Sequence, residues 1–435
     1  MINLPRDVRT IMKKLADNGY KVYAVGGCVR DALVGRKTTD FDLVTDAGLG
    51  EIGRLFKSSV VISDVLSVVR FDLKNGSQRI TAELATFRQE GEYSDFRHPD
   101  EVNFVGTFEE DYKRRDFTIN AIAYDPINDE FMDYCGGIQD IQNRVIRTIG
   151  MPEKRFKENP IRMMRAVRFA SQSGFDIEEK TFEAIKKKAH LIQCAGKIQV
   201  TDEFRKILLS DYAGEGIKFL VVSGLAYYMT GGALDYEDAE AIDKVKAYMS
   251  HIDEMPYEYE LRIGAFYSCF GEDAAVKAVQ ALGLNRRLEN KIIEGIYMQE
   301  ALPCVEDKYE LKGLLAVSGY ELYQYAHELS VMLMQLYSVC TIPEIRQKAE
   351  ACRKHIEKRE EMFAEITKNK EPVYLEDLAV NGKDLEYIGI EAGVKTGRIL
   401  AELADLVHRN PEKNTKSVLY AAARQINRFI DEEQV

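Results

Sequence analysis

The first 150 residues alternate short runs of apolar and β-branched residues with stretches of helical spacing. Apolar positions three and four apart predict a helix over 5–18, which Asn18 and Gly19 end. A short helix is predicted over 29–34, among strand candidates at 21–25, 41–44, 68–73, 79–87, 121–124 and 131–133. Asn75 and Gly76, between the third and fourth candidates, are typical of a tight hairpin. This order predicts a mixed α/β unit whose small sheet contains antiparallel strands.

Strand patterns stop near residue 152, and helical spacing dominates the rest of the chain. The clearest predicted helices cover 155–169, 178–189, 201–209, 236–249 and 258–269. Upstream of them, Thr107 and Glu110 fit a capping box that would start a helix through the KRRDF segment. The long charged stretch 345–370 is predicted as one extended helix that leads into a last helical region.

Composition narrows the functional classes. The chain has 435 residues and a net charge of −12, yet residues 151–200 carry 11 Lys and Arg against 6 Asp and Glu. A local basic segment can hold phosphates within an acidic protein. No run of about 18 apolar residues predicts a membrane helix, and no secretion signal is found. Seven scattered cysteines without a CxxC pair indicate free thiols in a reducing cytoplasm rather than disulfides or thiolate zinc sites.

The strongest chemical signal joins a double glycine to a pair of acids. Gly26 and Gly27, between a strand and a helix, let backbone N–H groups approach a phosphate, and Arg30 adds a fork-shaped donor. Farther along, Asp40 and Asp42 alternate on a strand, so both carboxylates face the same side. Their repulsion favours a bound cation, and Mg²⁺ prefers oxygen ligands and also binds triphosphate. A plain tight turn explains the double glycine taken alone, and a solvated edge strand explains the acid pair taken alone. Neither explains the two motifs together in this order.

Two further segments add candidate residues. Glu83 suits orientation of a metal ion or acceptance of a proton from an attacking hydroxyl, although an ordinary edge-strand glutamate explains it equally well. The RRDFTIN segment offers two arginines for phosphates, and an acid and an amide four residues apart for ribose hydroxyls. Its candidates are Arg114, Arg115, Asp116 and Asn120. A surface helix with an ordinary salt bridge is the alternative for this segment.

A third segment is basic and helical. Arg162, Arg165 and Arg168 recur every three residues and form a stripe along the predicted helix. Asn159 before Pro160 suits an N-cap followed by the first helical residue. An arginine in the first turn can hydrogen-bond a base edge, and asparagine can pair with the amino group of adenine or cytosine. A solvated basic face over a core face is the alternative for this segment taken alone.

Together these segments resemble the class II tRNA nucleotidyltransferase and bacterial poly(A) polymerase family over roughly residues 20–210. The resemblance rests on VGGCVRD with TTDFDLVTD, then TFRQEGEYSDFRHPDEVNF, RRDFTINAIAYD, GGIQDIQNRVIRTIG and ENPIRMMRAVRFASQSGF, in that order. The stretch 378–407 is also similar to the C-terminal helical region of bacterial CCA-adding enzymes.

The resemblance implies an α+β fold, with a polymerase-β-like nucleotidyltransferase head containing a mixed sheet, followed by all-α neck, body and tail domains. We expect the catalytic head over 1–150, a neck with the base-reading segment over 151–210, an HD-like body over 211–345 and a tRNA-binding tail over 346–435. Some relatives carry a metal-binding His-Asp pair in the body. That pair reads Ser268-Cys269 here, so we expect no phosphohydrolase metal there and a buried Cys269 thiol.

The resemblance also implies a role for each candidate. In this family the paired acids bind two Mg²⁺ ions, here Asp40 and Asp42. The first motif holds the triphosphate, here Gly26, Gly27 and Arg30. The RRD segment contacts ribose and phosphates, here Arg114, Arg115, Asp116 and Asn120. The incoming base is read by the residues that correspond to Asn159, Arg162, Arg165 and Arg168. The family has an aspartate where this chain has Asn159, and an amide can donate as well as accept, which weakens rejection of U and G.

The implied activity is template-independent addition of CCA to the 3′ end of tRNA from CTP and ATP, with release of pyrophosphate, in the cytoplasm. Addition of only A or only CC is the alternative, and the intact loop 91–99 disfavours CC-only addition. Poly(A) polymerase ranks lower because residues 201–435 are acidic, with 28 Lys and Arg against 41 Asp and Glu. A non-catalytic RNA-binding protein ranks lowest because Asp40, Asp42, Arg30 and Arg114 are intact.

Overall fold

The computed structural model describes residues 2–75, 78–96 and 99–432. Its contacts divide the chain into two compact units, residues 1–233 with 281–283, and residues 234–280 with 284–435. The four-domain division expected from the sequence stays a prediction. Within the described ranges, no helix is long and apolar enough to span a membrane.

A seven-stranded mixed sheet forms the base of the first unit. In chain order the strands are β1 (Val22–Val25), β2 (Asp40–Thr45), β3 (Val60–Ser63), β4 (Val68–Asn75), β5 (Gln78–Thr86), β6 (Arg88–Glu90), β7 (Val102–Phe104), β8 (Ala123–Asp125), β9 (Glu130–Met132), β10 (Val145–Ile146) and β11 (Asp176–Ile177). The sheet order is β3-β4-β5-β2-β1-β8-β9, with β2 and β5 parallel and the other neighbours antiparallel. Strands β6 and β7 pair separately, as do β10 and β11.

The helices of the first unit cover the sheet and continue beyond it. They are α1 (Arg6–Asp17), α2 (Gly27–Leu33), α3 (Leu49–Leu55), α4 (Phe108–Asp111), α5 (Gly137–Asn143), α6 (Pro152–Glu158), α7 (Ile161–Ser173), α8 (Glu179–Lys188), α9 (Lys197–Leu208), α10 (Ala213–Ser223) and α11 (Leu225–Met229). Strand β2 shows why the sheet has a core face and an open face. Phe41 and Leu43 are buried, whereas the alternating Asp40 and Asp42 are exposed.

The second unit is helical throughout its described residues. Its helices are α12 (Ala239–His251), α13 (Tyr259–Ser268), α14 (Glu272–Ala281), α15 (Arg286–Ala301), α16 (Lys308–Ser338), α17 (Pro343–Asn369), α18 (Gly382–Tyr387), α19 (Val394–Arg409) and α20 (Lys416–Glu432). Helix α16 is interrupted at Gly319, where φ is +77°. Helix α17 confirms the extended helix predicted over 345–370. Cys269 is buried and donates its thiol to the Ala265 carbonyl, which confirms the expected core thiol.

Three predictions of secondary structure need correction. The helix expected through the KRRDF segment ends early, because α4 gives way to a 3-10 turn over Tyr112–Arg114 and the chain is extended at Arg115. Thr107 precedes α4, but its hydroxyl donates to the Glu110 carboxylate and caps no backbone N–H. The predicted helix 155–169 is two helices, since proline disfavours helical geometry in the residue before it.

The short strand β11 is the third correction, because it lies after residue 152, where strand patterns were expected to stop. Strands β4 and β5 confirm the predicted hairpin by their antiparallel pairing, with Asn75 opposite Gln78. The turn residue Gly76 lies outside the described residues.

Candidate active site

A cleft of about 550 Å³ lies in the first unit, over β2, α2 and α7. Its lining includes every residue predicted for the site except Glu83, namely Gly26, Gly27, Arg30, Asp40, Asp42, Arg114, Arg115, Asp116, Asn120, Asn159, Arg162, Arg165 and Arg168. The cleft is also lined by five residues to which the sequence pattern assigns no role, namely Asp31, Thr38, Glu90, Ile161 and Phe169. Segments more than 100 residues apart in the sequence therefore share one cavity.

The acid pair lies on β2 at the floor of this cleft. The side chain of Asp42 reaches solvent, but the surrounding cleft walls remove part of its hydration and raise its pKa above the ordinary value. The Asp40 carboxylate adds to the rise, while Arg115, Arg165 and Arg30 oppose it. The two carboxylates thus carry charges that disfavour each other, as expected for a site that receives a cation.

Glu83 lies beside the pair but outside the cleft lining. It is on β5, directly opposite Asp42 in the parallel ladder of β2 and β5. Burial raises the pKa of Glu83, and the nearby Asp42 and Asp40 charges raise it further. Its place beside Asp42 fits an electrostatic influence on the pair better than direct contact with a substrate in the cleft.

Gly26 is the glycine that the geometry requires. It precedes α2 with φ of +77°, and a Cβ there would lie 2.8 Å from Asp42 Oδ2. A Cβ on Gly27 would meet only Arg30 Nη2, at an ordinary 3.6 Å. Any side chain at position 26 would therefore strain the backbone and displace the Asp42 carboxylate.

A chain of polar contacts fixes the groups above the acid pair. Arg30 donates through Nε and Nη2 to Asp31 and through Nη1 to Asn120 Oδ1, at 2.7 Å. Asn120 Nδ2 donates to Asp116 Oδ1 at 3.3 Å, and Arg165 Nε donates to Asp116 Oδ2 at 2.8 Å. Burial alone raises the pKa of Asp116, but Arg165 more than offsets this and holds it well below the ordinary value.

Asp116 and Asn120 thus lie close together, as predicted, but the prediction that they share a helical face was wrong. The two residues do not share a helical face, because Asp116 precedes the 3-10 turn Thr118–Asn120 and is not itself helical. Their side chains meet because the chain turns back after Phe117, which is fully buried.

Arg114 and Arg115 are held by an acid that the sequence analysis did not single out. Asp111 is fully buried, and it accepts from Arg114 Nε at 2.8 Å and from Arg115 Nη2 at 3.0 Å. Burial raises the pKa of Asp111, but the two arginines outweigh it and hold the pKa below the ordinary value. Arg155 donates to the carbonyls of Arg114 and Arg115 from the far side. The signal was available, since acids three and four residues before an arginine pair with it on a helical turn.

The base-reading candidates lie at the start of α7. Asn159 Oδ1 accepts from the Ile161 backbone N–H at 3.2 Å, so Asn159 acts as the predicted cap. Glu158 Oε2 accepts from Arg162 Nη1 at 2.7 Å and from Arg155 Nη1 at 2.6 Å. The Arg162 guanidinium lies 5.7 Å from the centre of the Tyr93 ring. Glu158 thereby fixes the guanidinium next to the Asn159 amide.

Two more contacts complete the walls. Tyr93 donates to Glu90 Oε2 at 2.5 Å, and burial with this bond raises the pKa of Tyr93 to about 12. Arg168 lies 4.0 Å above the Phe169 ring and donates to Glu203. The loop 91–99 contributes Tyr93 beside Arg162, whereas Arg97 and His98 of that loop lie outside the described residues.

Comparison with known proteins agrees with this arrangement. The family described as "Poly A polymerase head domain" matches residues 22–147, and "Probable RNA and SrmB- binding site of polymerase A" matches residues 174–230. A CCA-adding enzyme of Bacillus pumilus is 32% identical over 409 residues, which is 92% of this chain and 90% of that protein. The chain belongs to the CCA-adding enzyme family. A CCA-adding enzyme of Geobacillus stearothermophilus is 31% identical and covers 96% of both proteins.

Solved structures show the same relationship. The crystal structure of the Bacillus stearothermophilus CCA-adding enzyme in complex with CTP superposes with a TM-score of 0.71 at 27% identity, over 98% of each chain. The Thermotoga maritima CCA-adding enzyme complexed with tRNA has the same fold, with a TM-score of 0.63 at 21% identity. CCA-adding enzymes are nucleotidyltransferases, a family that uses a divalent metal ion.

Proposed function

We propose that this protein adds CCA to the 3′ end of tRNA without a template, using CTP and ATP and releasing pyrophosphate. The observation that carries the proposal is the cleft, which places paired carboxylates, fixed arginines and the Asn159–Arg162 pair in one cavity. Relatives named CCA-adding enzymes match over nearly the whole chain, and one solved relative was crystallised with CTP.

We propose Mg²⁺ as the divalent ion. Asp40 and Asp42 fit it, because two like-charged carboxylates that repel each other at a cleft floor supply oxygen ligands and gain stability from a cation. Mg²⁺ is usually held by one or two carboxylates together with substrate phosphates and water, so a larger cluster of protein ligands is not required. When bound, the ion neutralises phosphate charge and favours attack on phosphorus.

The chain's own residues bind and orient the substrates. In the reaction, the 3′-hydroxyl oxygen of tRNA forms a bond to the α-phosphorus, the bond from that phosphorus to the β-phosphate oxygen breaks, and pyrophosphate leaves with the bonding electrons. We assign the triphosphate to the side of the cleft formed by Gly26, Gly27 and Arg30, and the ribose to Asp116 and Asn120. Arg114 and Arg115 lie fixed by Asp111, ready to contact phosphate oxygens.

The nucleophile must lose its proton, and the carboxylates of the acid pair, with the divalent ion they would hold, would assist that loss. Without the ion, burial and neighbouring charges raise the pKa of Asp42 and of Glu83. We assign Glu83 as a positioning residue that acts through the charge of Asp42, since it lies outside the cleft lining. Arg162 donates to the edge of the incoming base, and Asn159, Arg165 and Arg168 complete the surface on which the base lies.

The test uses tRNA transcripts that end before the first C, before the second C and before A, each incubated with one nucleotide at a time. We expect C addition to the first two transcripts and A addition to the third. The Asp40→Ala/Asp42→Ala variant should be inactive on all three, and Asp72→Ala is the matched control because Asp72 lies on β4 with an exposed side chain. Addition of A only to the third transcript would indicate an A-adding enzyme, and long A tails would indicate a poly(A) polymerase.

We also propose that the tail region after residue 346 contributes to tRNA binding and that the protein acts in the cytoplasm. All seven cysteines are free thiols, as expected in a reducing compartment, and the relatives named above are bacterial. Fractionation of cells that express a tagged full-length chain tests this location.

A further inference from the structure

A second cavity lies in the helical unit, among α12, α15, α16 and α17. Its volume is about 250 Å³, and apolar side chains form much of its wall, namely Pro303, Leu333, Met334, Ile345, Ala349 and Ile356. All the residues that line it belong to the second unit, so it is separate from the cleft described above. Mostly apolar walls with a few polar groups are typical of a small-molecule site.

The unusual feature of this cavity is Arg359. The residue lines the cavity and is only 1% exposed, yet among the described residues it has no carboxylate partner. Nη1 donates to the Leu302 carbonyl at 2.9 Å, while Nε is buried without a hydrogen-bond partner. Its neighbour Glu360 contributes charge at a distance, but the Glu360 carboxylate contacts His327 rather than the guanidinium. A buried cation without a counter-charge is costly, so it is expected where an anion completes it.

The other buried cations of this unit behave differently. Lys312 is also 1% exposed, and its ammonium lies 2.5 Å from the Glu371 carboxylate. Arg262 is 2% exposed and donates through Nε and Nη2 to the carbonyls of Pro256 and Met255. These two buried cations therefore have a carboxylate or carbonyl oxygens as partners for their donors. Arg359 differs from both because, among the described residues, its buried Nε has no hydrogen-bond partner, and because it lines a cavity.

The remaining polar groups indicate which anion would fit. Ser330 also lines the cavity and its buried Oγ has no partner among the described residues, so a hydroxyl donor is available in the same cavity. Glu240, Glu300, Lys244 and Lys348 also line the cavity, and Lys244 pairs with Glu240 at 3.7 Å. The two carboxylates balance the two lysines, which leaves the charge of Arg359 for a single negative charge. A guanidinium fork matches the two oxygens of a carboxylate. The apolar walls require a hydrocarbon body behind that head group.

We propose that this cavity binds a small organic monocarboxylate with an apolar body, whose carboxylate pairs with Arg359 and Ser330. The site is independent of nucleotide transfer, and its occupancy stabilises the four helices that enclose it. Octanoate serves as the probe. Acetate, which has the charge without the body, and 1-octanol, which has the body without the charge, serve as comparison compounds.

Thermal melting and calorimetry of the full-length protein test the proposal. Octanoate should raise the melting temperature by an amount that grows with the logarithm of its concentration, and acetate and 1-octanol should have much weaker effects. Arg359→Met should lose about ten- to a hundredfold in octanoate affinity, as expected for a lost charged hydrogen bond. Arg353→Met is the matched control on the same helix, because its side chain is 48% exposed and pairs with Glu350 outside the cavity.

Cys352 provides a second readout in the unaltered protein. It lines the cavity and is partly accessible, whereas Cys194 is exposed in the first unit. Octanoate should slow alkylation of Cys352, measured peptide by peptide, and leave that of Cys194 unchanged. This readout decides the question if Arg359→Met does not fold. Equal octanoate affinity in Arg359→Met and the unaltered protein, or alkylation of Cys352 at the same rate with and without octanoate, would overturn the proposal.

Discussion

Replacing Asn159 by aspartate should sharpen the choice of nucleotide. The Asn159 oxygen already accepts from the Ile161 backbone N–H at 3.2 Å, which leaves the amide nitrogen as the group available to a base. That nitrogen donates, as suits uracil O4 or guanine O6. In Asn159→Asp, one oxygen keeps the cap and the other accepts from the amino group of cytosine or adenine.

The size of the effect follows from the contact that changes. A well-placed base-edge pair contributes about 1–3 kcal/mol of discrimination. The preference for CTP over UTP, and for ATP over GTP, should therefore rise by about five- to 150-fold in kcat/KM, at about tenfold per 1.4 kcal/mol. Stability should hardly change, because aspartate and asparagine cap helices equally well.

Single-nucleotide incorporation on a transcript lacking its last residues measures these ratios. Asn143→Asp is a matched control, since Asn143 is exposed on α5 and accepts from Gln139 away from the cleft. Asn159→Ala should lower stability by about 1 kcal/mol through loss of the cap. If Asn159→Asp changes the UTP-to-CTP ratio by less than twofold while Asn159→Ala destabilises the protein, then Asn159 is a helix cap only and the reasoning is refuted.

Three other predictions follow from the same cleft. Asp42→Asn should abolish transfer yet leave the melting temperature at pH 7 unchanged or higher, because burial and Asp40 disfavour its charge; a clear loss of stability would contradict this. Asp111→Ala should cost about 3–5 kcal/mol in urea unfolding, because it removes a fully buried carboxylate and leaves two partly buried arginines without it, and a cost below about 1 kcal/mol would count against that role. On acidification, activity should fall before the fold is lost. Asp42 and Glu83 have raised pKa values in the metal-free site, so protonation there competes with the divalent ion as the pH falls. Asp111 and Asp116 have lowered pKa values, so the stability they contribute is present above the ordinary carboxyl value near 4 and is lost only as pH falls through their lower values. Kinetics and circular dichroism across the same pH series would contradict this if the two losses coincided.

The sequence was sufficient for much of the site because its chemistry lies in short local segments. Double glycine, alternating acids and arginines at helical spacing each have a local geometric meaning, and in the structure these residues line one cleft. The helix break before Pro160 was harder to place, because apolar spacing continues across it and only the proline marks the end of α6.

Other features depend on contacts between distant segments and leave little local trace. Arg155 holds the carbonyls of residues some 40 positions earlier, and nothing in its own neighbourhood indicates that partner. The pairing of β2 with β5, which places Glu83 next to Asp42, likewise requires the whole sheet. The role of Asp111 is partly predictable, because the sequence shows its spacing to the two arginines but does not show that it is completely buried.

The chain of contacts from Asp31 through Arg30, Asn120 and Asp116 to Arg165 has a consequence for how the protein tolerates change. Each of these residues hydrogen-bonds to the next, so the effect of a substitution at one end of the chain of contacts depends on which residue is present at the other end. Effects of paired substitutions along it should not add. A substitution that is harmful alone can become neutral once the neighbouring residue has also changed. Substitutions at these five positions are therefore expected to occur together in related sequences.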